Sequence, residues 1–160
     1  MSVLRLVTDE EFTAWKEAAI PGYAQDKVDS GQWPAESAVE LSRKEYEDLL
    51  PQGRHTEHNH LYTVLSPEGR PVGTLWIAVK ERARQKIAYV YDILIWPEHR
   101  RQGHAFRAFQ AAELEAARLG LAGVALHVFG HNHGAQALYT KLGYVATNIS
   151  MFKSLGTPGA

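Results

Sequence analysis

The chain has 160 residues, 45% of them hydrophobic and 22% charged, with a formal net charge of −1. That length and mixture suit one folded domain with a real core, not a disordered chain. The near-neutral balance supplies no global basic field for nucleic acid or an anionic membrane, and the absence of cysteine excludes disulfides, thiolate metal sites and a cysteine nucleophile.

Residues Val3 to Val7 read as a short first strand. This apolar run is too short for a signal peptide, and no stretch approaches the roughly 20 apolar residues of a membrane span. A cytoplasmic protein is therefore expected. Thr8-Asp9-Glu10-Glu11 fits a capping box, with Thr8 as N-cap and Glu11 at the third helical position. The helix it opens is predicted to break or resume near Pro21-Gly22. Trp33-Pro34 opens a second helix, which Pro51-Gln52-Gly53 stops after Leu50. Three β-type segments follow: His60 to Ser66, Val72 to Lys80 and Ile87 to Trp96. The first two are predicted to pair as a hairpin around Pro67-Glu68-Gly69-Arg70.

A charged loop, Pro97 to His104, leads to a helix over Ala105–Leu119. Val124 to Phe129 is a strand, His133 to Leu142 a short helix stopped by Gly143, and Tyr144 to Phe152 a last strand. The order β-α-α-β-β-β-α-β-α-β predicts one α/β (α+β) domain over residues 1–153, a mixed sheet with helices on both faces, and a flexible tail over 154–160.

Two junctions carry chemistry. The first is a buried-looking strand, Tyr89 to Trp96, followed by Arg100-Arg101-Gln102-Gly103-His104-Ala105 and a helix. A helix N-terminus exposes unpaired N–H groups and the positive end of its dipole, Gly103 permits close approach of an anion, and two arginines add charge. The arrangement suits a pyrophosphate, yet it is neither G-x-G-x-x-G nor G-x-x-x-x-G-K-[ST]. The second junction places Asn132 at a strand end where a helix begins, with Tyr139 two turns on. Taken alone, Asn132 reads as an N-cap and Tyr139 as a core aromatic.

Taken together, the two junctions resemble the GNAT superfamily of acyl-CoA N-acyltransferases. Arg100 to Ala105 match its [QR]-x-x-G-x-[GA] loop, and Asn132-x-x-Ala135-x-x-Leu138-Tyr139-x-Lys141-x-Gly143-Tyr144 is similar to its second motif. The likeness extends over about Val72 to Phe152 and is nearest to small bacterial members of unassigned substrate, which share Leu49-Leu50-Pro51-x-Gly53 and Tyr91-Asp92. It implies a GNAT-like fold with a sheet of six to seven strands. It also implies an acetyl-CoA-dependent N-acetyltransferase acting on a primary amine of a small molecule or peptide, by direct attack in a ternary complex. The alternative is a non-catalytic acyl-CoA-binding or sensing domain on the same fold. Members often pair, so the resemblance admits a homodimer, and no residue marks its interface.

Carried over by position, the resemblance puts backbone N–H groups of Gln102, Gly103, His104, Ala105 and Phe106 on the pyrophosphate, with Arg100 and Arg101 at the entrance. A bulge is expected over Ile93 to Ile95, where Ile93 and Ile95 would pair with the pantetheine amides and an N–H near Leu94 or Ile95 would face the oxyanion. Asn132 would bond the pantetheine arm or order the loop beside it, and Ala135 of the same motif is carried over as cofactor-binding. Tyr139, with an ordinary phenol pKa of about 10, would protonate the departing thiolate. Asp92 is the candidate base, with two other readings open: binding the substrate's ammonium group, or pairing with an arginine. His58 and His60, or a water relay, are further candidates for the base. His127, His131 and His133 show no recognised zinc spacing and no carboxylate close by in sequence, so no metal is expected. Tyr23, Asp26, Asp29, Trp33 and Glu36 mark the acceptor end, where acidic and aromatic residues suit a cationic amine.

Overall fold

The computed structural model describes residues 3–156. Strand β1 (Leu4–Leu6) leads into α1 (Asp9–Asp29), then α2 (Ala38–Leu49) after a 3-10 turn, then strands β2 (Asn59–Leu65), β3 (Pro71–Arg82) and β4 (Gln85–Ile95), helix α3 (His104–Arg118), strand β5 (Val124–Leu126) and helix α4 (His133–Leu142). The sheet order is β1-β2-β3-β4-β5. The first four strands are antiparallel and β5 joins β4 in parallel.

The capping box forms as expected: the Glu11 N–H donates to Thr8 Oγ1 and the Thr8 N–H to Glu11 Oε1. The expected break at Pro21 does not occur, and α1 runs through it. Proline leaves the carbonyl four residues back without its helical donor. That residue, Glu17, and Pro21 itself both lie on the exposed face, where water can serve the carbonyl. The opposite face is held by buried Trp15, Ile20 and Ala24, with the Ile20 carbonyl also accepting from the buried Ser42 hydroxyl at 2.7 Å.

Helices cover both faces of the sheet. On one, Trp15, Ile20, Tyr46 and Leu50 of the α1–α2 region pack on Leu61 and Trp76. On the other, Ala108, Phe109, Ala112 and Ala116 of α3 pack on Val64, Leu75, Ile77 and Val90. The strand alternation of period two sorts the residues between these two cores.

Among the described residues the sheet has five strands, not six or seven. The expected strand over Tyr144–Phe152 is the missing one: the chain there is without regular structure and bends at Thr147. Its β-type composition favours an extended backbone, but a strand also needs a neighbour. Of the expected tail, 154–156 is exposed and irregular, and 157–160 lies outside the described residues.

Candidate active site

The register of β4 carries one irregularity. Val90 opposes Ile77 and Asp92 opposes Trp76, so Tyr91 is an extra residue without a partner on β3. This bulge lies just before the expected position at Ile93–Ile95. An inserted residue shifts everything after it to the other face. Val90 belongs to the α3 core and Tyr91 packs in the α1–α2 core. Asp92, which simple alternation would return to α3, accepts from the Trp15 indole N–H of α1 at 3.0 Å. The bulge is thus what aims Asp92 into the cleft under α1 and α2.

The pairing of β4 with β5 ends at the same level. Its residue pairs are Ala88↔Val124, Tyr89↔Ala125 and Val90↔Leu126, and none follows. Beyond Val90 the two strands part. The Trp96 N–H bonds the Val72 carbonyl on β3 at 2.9 Å, so by antiparallel alternation the polar groups of Ile93 and Ile95 point to the opposite, unpaired edge. There the Ile95 carbonyl accepts from Arg100 Nε at 2.8 Å.

A 480 Å³ cleft lies at this parting. It brings together Asp92, Ile93, Leu94, Asn132 and Tyr139 among the residues expected from sequence; Ile95, Arg100 to Phe106 and Ala135 are not along its lining. Its floor and walls include Tyr23, Tyr46, Trp76, Tyr89, Tyr91 and Phe129, with Trp76 stacked on Tyr91 at 4.4 Å. The lining carries three carboxylates, Asp26, Glu45 and Asp92, against one ammonium, Lys27. Burial pushes the Asp92 carboxyl up to about 6, only partly opposed by the Trp15 N–H, with Asp26 adding to the rise. Burial likewise pushes the Tyr139 phenol up to about 12, helped by Asp92, well above the ordinary value. The Tyr139 ring meets Phe109 edge-on at 5.4 Å, so it is both a cleft residue and a core one. A smaller cleft of 230 Å³, lined by Arg82, Gln85, Ala122 and Gly123, lies at the other end of the β4–β5 pair and holds no carboxylate and no aromatic ring.

The loop before α3 turns sharply. Arg101 and Gly103 both have positive φ, 61° and 81°, a turn that gathers backbone N–H groups. Gly103 caps α3 without a side-chain bond, and the Arg107 N–H returns to the Gly103 carbonyl at 3.1 Å. The N–H groups of the first helical turn therefore lack helical acceptors. The helix opens at His104, one residue before the expected Ala105, and the His104 imidazole is buried and bonded to Arg107. Burial, then Arg107 and His99, lower its pKa, with Glu68 opposing.

Asn132 keeps its plain structural part as well, its Oδ1 accepting from the Ala135 N–H at 3.2 Å. His58 and His60 are not brought to the cleft: His58 is exposed beside Glu57, and His60 lies in β2 next to Tyr62. Glu36 is exposed outside the cleft. His131, which has no carboxylate near it in sequence, bonds Asp26 Oδ1 at 2.9 Å and ties the β5–α4 loop to α1. Asp29 joins this pair, with ligand-type atoms of all three within 4.8 Å of one another; exposed acidic groups of this kind are common without an ion.

Three contributors escaped the sequence reading. Trp15 orients Asp92. Gln136 donates to the carbonyls of Phe129 and Gly130 at 3.2 and 3.0 Å and holds the cleft's far wall. Gly73 sits so close to β4 that a Cβ would stand 2.1 Å from the Leu94 carbonyl oxygen. Only Gly73 left a signal, being a glycine inside an apolar strand.

With this bulged strand parting from its parallel neighbour above a helix N-terminus, the chain belongs to the Acetyltransferase (GNAT) family, whose model matches residues 25–144. It is 35% identical over 149 residues to YdgE of Bacillus subtilis, an uncharacterized N-acetyltransferase, covering 93% of this chain and 95% of that protein. It is 36% identical over 146 residues to YycN of the same organism, also an uncharacterized N-acetyltransferase, covering 91% and 94%. The crystal structure of YycN superposes with a TM-score of 0.91 over 96% of this chain and 98% of that one. A protein from Pyrococcus furiosus, 24% identical, shares the fold at a TM-score of 0.68, covering 95% of this chain and 99% of that one. Among the described residues no helix is long and apolar enough to cross a membrane.

Proposed function

We propose that the protein transfers an acetyl group from acetyl-CoA to a primary amine by direct attack within a ternary complex. The observation that carries this reading is the coincidence of the β4 bulge with the end of β4–β5 pairing. One irregularity frees the strand edge at Ile93 and Ile95 and turns Asp92 into the cleft beside it.

In this reading the N–H groups of Gln102 to Phe106 hold the pyrophosphate, with Arg100 and Arg101 lending charge. The edge groups of Ile93 and Ile95 pair with the pantetheine amides in place of a strand, and Asn132 contacts the arm beside them. The neutral amine attacks the thioester carbon, the C–N bond forms, and a backbone N–H near Leu94 or Ile95 stabilises the oxyanion. The surplus proton on nitrogen passes to Asp92, directly or through water. The C–S bond then breaks and Tyr139 donates to the departing sulfur. A phenol near 12 is uphill as a full donor to an ordinary thiolate of pKa about 8.5 by roughly 5 kcal/mol. The same dry cleft raises the thiol's pKa and narrows that gap.

The lining also bears on the acceptor. Excess carboxylate within an aromatic box favours a cationic amine. The chain's own ammonium groups use these faces already: Lys80 Nζ lies 4.6 and 4.5 Å from the Tyr89 and Tyr91 ring centroids.

The test is CoA release from acetyl-CoA across a panel of amines, with calorimetry of CoA binding in parallel. Turnover with cationic amines and its loss in Tyr139→Phe are expected. Tight CoA binding without turnover on any amine would instead support the non-catalytic binding module. Well-folded protein with no affinity for CoA would sink both.

A further inference from the structure

The transfer chemistry leaves one cleft residue idle. Tyr46 of α2 lines the cleft. Of the seven tyrosines it alone is buried, at 7% exposure. Three rings hold it, Trp15 at 5.7 Å, Trp76 at 5.8 Å and Tyr23 at 6.0 Å between centroids. A phenol packed in this way ordinarily finds a partner for its hydroxyl.

The Tyr46 hydroxyl has no such partner. Among the described residues it makes no hydrogen bond, and the two side-chain oxygens that are sealed off without one are those of Thr63 and Thr74. The Tyr46 oxygen is therefore not sealed. It opens on free space, and the space that Tyr46 lines is the cleft. Its neighbours agree with that aim. Burial first, then Asp92, Tyr23, Glu45 and Asp26, push the phenol above its ordinary value. The three carboxylates of the cleft, one each from β4, α2 and α1, thus all act on this one hydroxyl. Each of them already has a partner within the chain. Asp92 has the Trp15 indole at 3.0 Å, Asp26 has His131 at 2.9 Å, and Glu45 has the Tyr23 hydroxyl. The Tyr46 oxygen is the buried polar group of the cleft left over.

We propose that the Tyr46 hydroxyl binds the acceptor nitrogen, its oxygen accepting one N–H while Asp92 takes the other, and so selects primary over secondary amines. This deepens the transferase reading and rests on it. A primary amine keeps two N–H groups as its lone pair forms the C–N bond. One proton passes to Asp92 as the C–S bond goes on to break. The other stays on nitrogen as the N–H of the product amide, and Tyr46 holds that one. The phenol gains and loses no proton in the step. Two fixed contacts on the nitrogen aim its lone pair at the thioester carbon. A secondary amine has a single N–H, which Asp92 must take, and it leaves the phenol oxygen unmet. A site built to hydrogen-bond an N–H rejects the analogue that lacks it.

Tyr46→Phe removes the oxygen and keeps the ring in its aromatic cage. The acceptors are the fastest primary amine of the panel (n-butylamine to begin with) and its N-methyl derivative, at saturating acetyl-CoA. The parent should favour the primary amine. The variant should lose about ten- to a hundredfold in kcat/KM on it and little on the N-methyl derivative, so that the preference collapses. Its Tm and its affinity for acetyl-CoA should match the parent's, and the limb of kcat/KM near pH 6 should stay in place. In the parent, the Tyr46 ring signals in NMR should move when the primary amine is added to the CoA complex. Unchanged kinetics in the variant, or a parent that uses both amines alike, overturns the role of Tyr46 alone. Equal losses on both amines, a displaced limb, a changed acetyl-CoA affinity or ring signals that ignore the amine overturn it too. The hydroxyl would then act through the fold, through Asp92 or on the acyl group. A parent that turns over no amine at all overturns the transferase reading, and this role with it.

Discussion

Strand β4 is paired on one side over ten residue pairs, from Gln85↔Arg82 to Ile95↔Gly73, and on the other over three. The helices on the two sides differ in the same sense. Helix α3 buries five residues, Phe109 fully, whereas α4 buries none completely. The β2–β4 meander with α1, α2 and α3 is a closed body with packed cores on both faces of the sheet. The β5–α4 unit is left incomplete on its inner face, where β4 and β5 part, and on its outer edge. A ligand that inserts between two strands needs this inequality: a fully paired strand offers no amides, and a loose strand offers none in fixed positions. The site stands on the seam because β4 alone belongs to both regimes.

The comparison breaks most forcefully at Phe109, which touches Tyr139 and Tyr144 across the seam. Its ring is fully buried, and Phe109→Ala is expected to cost about 3–5 kcal/mol, measured by urea unfolding. If the two regions are coupled through this ring, β5 and α4 amides lose protection before those of β3. Equal loss in both would mean the seam is not a boundary. Gly73→Ala acts on the same seam from the rigid side, since backbone and not a flexible side chain blocks the new Cβ. It is expected to displace Leu94 and raise the apparent Kd for CoA along with a stability loss of about 2 kcal/mol or more.

Asp92 sharpens the comparison by pH. A base with a pKa near 6 should give kcat/KM that rises through pH 6 to a plateau. Asp92→Asn should lower the plateau by about 10²–10³ and erase that limb. Its stability effect has the opposite sign. The folded pKa lies above the ordinary 3.8, so the folded state binds its proton more tightly and loses stability as pH climbs from about 4 to 6. Asp92→Asn should therefore be more stable than the parent at pH 7, by about 1–2 kcal/mol after discounting for solvent access, with the gap closing below pH 4. A variant less stable at pH 7 would show that the carboxylate is satisfied there and not strained.

What was legible in the sequence tracks what is local. The capping box, the 67–70 turn, the Gly103 loop and the Asn132–Gly143 helix rest on signals within a few residues, and each is found in place. The family likeness rests on two such local motifs. The bulge at Tyr91 was misplaced because register is a property of two strands, and β4 alone contains no mark of where β3 will slip. The Trp15 bond to Asp92 spans 77 positions and the Asp26–His131 bond 105; no spacing rule reaches so far. The final strand was not found for a different reason: its residues have the right pattern, but among the described residues no strand pairs with them.

Glu11 tests the closed region away from the site. It accepts twice from the Arg5 guanidinium at 3.0 Å and once from the Thr8 N–H. These bonds, the Arg5 side chain first, hold its carboxyl at about 2 instead of 4.5. A depressed folded pKa gives stability that is present above pH 4.5 and lost as pH falls toward 2. Because Arg5 is well exposed, screening limits the effect to about 1 kcal/mol. Glu11→Gln should remove that much at pH 7 and little at pH 2. The loss should appear as earlier exchange of β1 and the start of α1, with β5 untouched.

The smallest effect belongs to the far end of the β3–β4 hairpin. Arg82 pairs with Gln85, which leaves a two-residue loop, Ala83-Arg84, with φ of 50° and 67°. Two left-handed residues suit the twist of a hairpin, but a side chain in that region costs roughly 1 kcal/mol, and glycine at the second position does not pay it. Glycine also loosens the unfolded chain, so Arg84→Gly should gain only about 0.5 kcal/mol and raise Tm by about 1–2 °C. This loop does not line the 480 Å³ cleft, so turnover should not change. The gain should also be confined by region: protection rises through β2, β3 and β4, which unfold together, and stays level in β5, whose opening does not require the hairpin to come apart. A parallel rise in β5 would mean that three residue pairs are enough to bind it to the meander, and that the looseness of the cleft's far wall must come from beyond Leu126.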